Sequence, residues 1–202
     1  MYSPLGNYEE ANVTYPKIEA RYDMRKEAFT LNFIAGWQTY EVEDKLPPTG
    51  SKETQDITSW VLGVRGKAHF GPVYANLGLT YRKNGKNYDA WTVSTKEGPV
   101  LERNDVKDAT AWGVVAALGW KINDRWTLEA SHGSLGSEQD TSLKNEDDAK
   151  AWALQAKITI APGFYIYPEL IYQDNEDVIN NGVSTDQGDI TIFGVYWRID
   201  FK

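Results

Sequence analysis

The chain has 202 residues, with 21 Lys and Arg against 29 Asp and Glu and a formal net charge of -8, a length that suits one domain over residues 1–202. The acidic balance excludes a nucleic-acid partner, because phosphate binding needs clustered Lys and Arg. Cys is absent, which excludes a disulfide framework, thiolate metal sites and covalent c-type haem attachment.

No run of about 18 apolar residues is present, so no transmembrane helix is expected. No basic, apolar leader follows Met1, which implies that any secretory signal has been removed. Period two dominates instead, and transmembrane strands hide their apolarity in such alternation.

In chain order, Ile18, Ala20, Tyr22 and Met24 oppose Glu19, Arg21 and Asp23. Phe29 to Trp37 follows, with Thr30, Asn32, Gly36 and Gln38 on its polar side. Trp60, Leu62, Val64, Ala68 and Phe70 oppose Ser59, Gly63, Arg65, Lys67 and His69. Val73 to Tyr81 sets apolar residues against Asn76, Gly78, Thr80 and Arg82. Trp112, Val114, Ala116, Leu118 and Trp120 form the clearest apolar face, ending before Lys121 on the other side. Trp126, Leu128 and Ala130 then oppose Thr127, Glu129 and Ser131. Trp152 to Ile160 opposes Gln155, Lys157 and Thr159, and Phe164 to Tyr172 opposes Tyr165, Tyr167, Glu169 and Gln173. Phe193, Val195, Trp197, Ile199 and Phe201 close the series against Gly194, Tyr196, Arg198 and Asp200. Nine strands result, and no segment carries a helical period.

Two kinds of connection alternate. Short turns fall at Arg25-Lys26-Glu27, Gly71-Pro72, Asn123-Asp124-Arg125 and Ala161-Pro162-Gly163, and long polar loops near 41–56, 83–109, 135–149 and 174–189. Short turns on one rim and long loops on the other are the layout of an antiparallel up-and-down transmembrane β-barrel, its long loops extracellular.

The aromatics choose between this and a soluble barrel, which would alternate equally well with its apolar face inside. On the apolar face Trp37, Trp60, Tyr81, Trp112, Trp152 and Tyr172 sit near the long loops, and Trp120, Trp126, Trp197 and Phe201 nearer the short turns. Trp112 and Trp120 are eight residues apart, about 20 Å of height in a tilted strand. That approaches the lipid band, with amphipathic rings at both interfaces.

The closing stretch Ile192-Phe193-Gly194-Val195-Tyr196-Trp197-Arg198-Ile199-Asp200-Phe201-Lys202 resembles the terminal strand of Gram-negative outer-membrane porins. In that family the final aromatic ends the chain; here it is penultimate, before Lys202. The segments Trp60 to Tyr81 and Trp112 to Leu128 also look like porin hairpins. The resemblance implies a bacterial outer-membrane diffusion channel for small hydrophilic solutes and ions, with no enzymatic chemistry and no cofactor or metal. It implies outer-membrane lipid and lipopolysaccharide as surroundings, and a homotrimer is the assembly many porins adopt. The other reading is a closed structural or adhesive barrel with interaction loops.

Strand parity points to the C-terminal part of a larger barrel. Bacterial barrels have even strand numbers. Nine readable strands leave residues 1–16 as a loop or, in the second reading, a weak strand around Tyr8 to Tyr15.

The expected pore-lining residues are Glu19, Arg21, Asp23, Arg65, Lys67, Arg82, Lys121, Glu129, Lys157, Glu169, Arg198 and Asp200, because opposing charged walls order ions in a wet lumen. The acidic loops predict a modest cation preference, and the loop after Arg82 is the candidate constriction. His132, followed by Gly133-Ser134, would suit a barrel hydrolase, but alternation assigns it to the apolar side as an interfacial residue.

Overall fold

The computed structural model describes residues 11–13, 15–45, 52–88, 96–102 and 105–201. Residues 1–10, Thr14, residues 46–51, 89–95 and 103–104, and Lys202 lie outside that set, and with them half of the suggested strand at Tyr8 to Tyr15; within its described half, Ala11 and Asn12 pair with Val42 and Glu41.

In chain order the strands are β1 (Ala11–Asn12), β2 (Ile18–Arg25), β3 (Phe29–Lys45), β4 (Lys52–Phe70), β5 (Val73–Lys83), β6 (Val100–Glu102) and β7 (Asp105–Lys107). They continue as β8 (Ala109–Lys121), β9 (Trp126–Gln139), β10 (Asn145–Ala161), β11 (Phe164–Asp174), β12 (Asp177–Asn180), β13 (Val183–Asp186) and β14 (Asp189–Ile199). Each of the nine strands read from the sequence is found. They form one antiparallel path β2-β3-β4-β5-β8-β9-β10-β11-β14, every neighbour joined to the next by a hairpin.

Several strands outrun the sequence limits. β3 continues to Lys45 and β4 begins at Lys52, inside the expected 41–56 loop. β9 and β10 stay paired as far as Gln139 and Asn145, so the 135–149 loop shrinks to five residues, 140–144. The 174–189 loop carries its own hairpin, β12–β13. Backbone pairing continues above the lipid band, where polar residues such as Glu138 and Glu146 take over both faces and apolar alternation fades.

Cross-strand registers show how the sheet is set. Trp37 pairs with Trp60, while Tyr81 pairs with Trp112 two residues nearer the short turns. Trp152 and Tyr172, also paired, lie four residues nearer again. The upper aromatic belt therefore descends six residues over the six strand steps from β3 to β11. One residue of about 3.3 Å per strand spacing of about 4.8 Å makes this belt level only if the strands tilt by about 35°, the inclination of a membrane barrel. The lower belt descends the same way, from the row shared by Phe70 and Trp120 through Trp126 to Phe164.

The face carrying these belts is apolar and outward. Leu62, Leu77, Leu118, Leu154, Phe193 and Trp197 are all exposed on it, an area that water would not tolerate on a stable monomer and that hydrocarbon accepts.

Candidate functional site

The opposite face is concave. A cavity of about 600 Å³ is lined by Arg21 on β2, Arg65 on β4 and Thr80 on β5, and by Gln173 on β11. β2 and β11 are seven strand steps apart, roughly 34 Å if the sheet were flat. A single cavity touching both requires a curled sheet, with this face inside.

By strand register Glu19, Arg21, Asp23, Arg65, Lys67, Arg82, Lys121, Glu129, Lys157, Glu169 and Arg198 share one face of the sheet, and Arg21, Arg65 and Arg82 border the cavity. Their pairings differ. Arg21 Nε donates to Asp23 Oδ1 at 2.7 Å and Asn32 Nδ2 to the same oxygen at 2.6 Å. Arg198 holds Asp200 through Nε at 2.6 Å and a terminal nitrogen at 3.2 Å. Lys17 pairs with Glu19 at 3.0 Å, and Lys121 with Asp124 at 2.7 Å. The Lys121 ammonium holds the Asp124 carboxyl below its usual range at the short-turn rim. Tyr74 Oη donates to Glu129 at 2.6 Å, and its ring lies over Gly119, where an added Cβ would fall 2.0 Å from it. Lys67 and Lys157 sit over the rings of Tyr74 and Tyr165, at 5.0 and 4.2 Å. Gln155 donates to Glu169 at 2.8 Å. Near-balanced pairs of both signs therefore line the inner face, with Arg65 on the cavity wall.

Arg82 departs from the open-lumen expectation because it is buried. Its guanidinium bonds Glu97 at 3.0 Å, and the Glu97 side chain has no exposure. Glu97 belongs to the segment between β5 and β8, whose described residues 96–102 and 105–107 fold inward. Leu101 of β6 and Val106 of β7 pack on Tyr40, Val42 and Ile57 of the inner face of β3 and β4, together with Val13. This is the core of the described residues, and it lies inside the barrel mouth. On the other side the segment is tied to β9, β10 and their loops. Gln139 Nε2 donates to the Gly98 carbonyl at 2.8 Å, the Ser142 hydroxyl and backbone N–H donate to the Glu102 carboxylate, and Lys96 bonds Asn180. Residues 96–102 and 105–107 thus form a strap from β3–β4 to β9–β10 across the inner face.

Asn84 sets the start of the strap. It is buried, with φ 49°, a left-handed conformation that Asn tolerates better than most residues. Its Nδ2 donates to the Thr58 carbonyl and to Asp108 Oδ1, and its Oδ1 accepts from the Ala109 N–H at 2.8 Å. One side chain therefore joins the end of β5 to the start of β8. Tyr88 follows inside the mouth, its ring against Gly36 and beneath the Lys17 ammonium. Burial, aided by Glu19, pushes its hydroxyl up to about 12, so it stays neutral.

His132 and Ser134 are on the outward face, one residue row below the upper belt. His132 lies beside Trp152, ring centres 4.8 Å apart and planes tilted by 37°, and its Nε2 contacts Ser134 Oγ at 2.9 Å. Its Nδ1 is buried without a hydrogen-bond partner among the described residues, so no acid orients the ring as a catalytic triad requires. No group of His, Asp and Glu suited to a metal occurs among the described residues.

The sequence reading missed Asn84, Glu97 and the strap core. Two signals for them exist. Asn84-Gly85 is a turn dipeptide, and Tyr40, Val42 and Ile57 put apolar residues on the phase that lower down carries polar ones.

No protein-family model matches the chain, and no curated protein matches it. Among solved structures it is similar to the outer membrane channel DcaP of Acinetobacter baumannii, with TM-score 0.70 and 12% identity over 93% of this chain and 53% of that one. It is also similar to outer-membrane expressed OmpT of Vibrio cholerae, with TM-score 0.52 and 14% identity over 90% of this chain and 64% of that one. The chain thus spans about half the length of the first. The shared fold is the antiparallel outer-membrane β-barrel.

Proposed function

We propose that the chain forms part of a bacterial outer-membrane diffusion channel of porin type, passing small hydrophilic solutes and ions down their gradients without covalent chemistry. The observation that carries this reading is the pairing of faces. An apolar outer wall of tilted strands with two aromatic belts backs an inner wall of charges, Tyr, Thr and Gly around a cavity of about 600 Å³. Solvated ion pairs suit a wet lumen and would be costly in a dry one.

The strap narrows the mouth. The rim above it is acidic, with Asp174 and Asp189 at the ends of β11 and β14 and Asp140, Asp177 and Asp186 on the connections. A near-balanced wall beneath such a rim favours cations at low salt, since the rim raises their local concentration. The strap also supports a second reading, a closed structural barrel whose loops meet partners.

Planar-bilayer conductance in asymmetric salt separates the two. The folded protein, extracted in detergent, is expected to give stepwise currents with a reversal potential favouring cations. Current steps that favour anions would overturn the role of the rim. A folded sample without steps would make the closed barrel the better account.

A further inference from the structure

We infer that the inner-wall cavity is a subsite for a monocarboxylate with a compact apolar body, its carboxylate on Arg65 and its hydrocarbon against β8, β9 and β10. The inference rests on the reading of this face as the lumen, and it adds a solute class to that reading.

Arg65 is midway between Trp60 and Phe70 on β4, a strand paired along both edges. A single row of residues crosses the cavity from it. Arg65 is opposite Gly78, and the row continues through Val115, Gly133 and Ala151 to Gln173. Missing side chains open the floor of this row. An added Cβ at Gly78 would meet only the Val115 carbonyl oxygen, at 4.0 Å, and one at Gly133 nothing closer than 3.7 Å. Both glycines are on strands with a neighbour on each side, so the space belongs to the concave wall and not to a sheet edge.

Two features of the cavity have no use in a plain ion path. The first is an uncommitted cation. Arg65 has no hydrogen bond or ion pair among the described residues, whereas Arg21, Lys121 and Arg198 each hold a carboxylate. Lys67, the next same-face position about 6.6 Å along β4, rests over the Tyr74 ring and adds positive charge to this side. The second feature is wet hydrocarbon. Val115 is 55% exposed and Ile34 42%, and Leu135, Ala149 and Ala151 border the same space. Positive charge on β4 thus faces an aliphatic wall on β8–β10.

A carboxylate accepts two parallel hydrogen bonds from a guanidinium, and a hydrocarbon body takes the aliphatic wall out of water. A neutral solute would leave the guanidinium unused. A second carboxylate would be set against Val115 and Leu135. One negative charge also keeps repulsion by the acidic rim small.

The test uses the full chain folded in a zwitterionic detergent, with cyclohexanecarboxylate as probe and empty micelles subtracted. Cyclohexanecarboxamide and trans-cyclohexane-1,4-dicarboxylate are the controls. Saturation-transfer NMR should show stronger transfer to the monocarboxylate than to either control. Arg65→Gln should weaken binding about tenfold, the scale of one lost charge-assisted hydrogen bond. Gly78→Leu, which fills the floor and leaves every charge in place, should weaken it several-fold; if that variant fails to fold, Arg65→Gln alone decides. A control that binds as well as the monocarboxylate, or binding unchanged in either folded variant, would overturn the subsite. An Arg65→Cys variant separates this from failure of the lumen reading. Labelling in vesicles by a membrane-impermeant thiol reagent supports a wet face whatever the carboxylate does; protection from it, with labelling by a lipid-soluble reagent, would overturn both.

Discussion

Replacing Arg82 by Met should free the strap and raise single-channel conductance, and it should lower the unfolding temperature of the detergent-solubilised barrel. Arg82 and Glu97 form a buried pair at 3.0 Å. Removing one partner takes from the other, buried charge the opposite charge it faces, a loss of up to about 3–5 kcal/mol. That is comparable to the stabilisation available from the small contact of Leu101 and Val106 with Tyr40, Val42 and Ile57, each side chain of which is worth about 1.5–3 kcal/mol when fully buried. The strap should therefore leave the wall without the barrel unfolding. Glu97→Met should do the same. The double variant should recover much of the wild-type conductance, because two apolar side chains of similar reach remove the buried charge altogether. A double variant as open as the singles would show that the pair is not what holds the strap.

The second large effect concerns two adjacent alanines. Ala116 is on the outward face midway between Trp112 and Trp120, paired with Leu77 and His132. Ala117 faces inward, paired with Asn76 and Ser131. Ala116→Arg should reduce folding into bilayers by about 2–4 kcal/mol, the cost of a cation at the middle of the lipid face, whereas Ala117→Arg should cost little. Refolding yield into vesicles across a urea series reads this difference. Equal losses at the two positions would remove the assignment of faces.

Both effects show where the sequence was legible and where it was not. Strand identity and facing come from period two, which needs only nearest neighbours along the chain, and so Trp112 and Gly113 could be sorted without a structure. Tilt was invisible, because it depends on registers between strands; only the pairings of Trp37, Tyr81 and Trp152 reveal the one-residue descent per strand. Strand ends were misjudged for a related reason. Above the lipid band the sheet is held by backbone hydrogen bonds that any residue can make, so Glu138 and Glu146 pair without an apolar signal. The loop after Arg82 was expected to constrict the mouth, and residues 96–102 and 105–107 fold inward there, but their anchor was out of reach. Glu97 reads as one more acidic loop residue until Arg82 is found 15 positions back and facing it. Ile34 is the reverse case. It breaks the polar phase of β3, and it lines the cavity next to Arg21 and Asn32, a patch of apolar wall within a polar lumen.

The central claim is that alternate residues of one strand face lipid and water, and the absence of native Cys lets it be tested one position at a time. Single Cys substitutions from Trp112 to Trp120 would be reacted with a membrane-impermeant thiol reagent after folding into vesicles. The account predicts labelling at Gly113, Val115, Ala117 and Gly119, and protection at Val114, Ala116 and Leu118, which a lipid-soluble reagent should reach instead. The reverse pattern, or uniform labelling along the strand, would contradict a lipid-facing outer wall and a water-filled lumen.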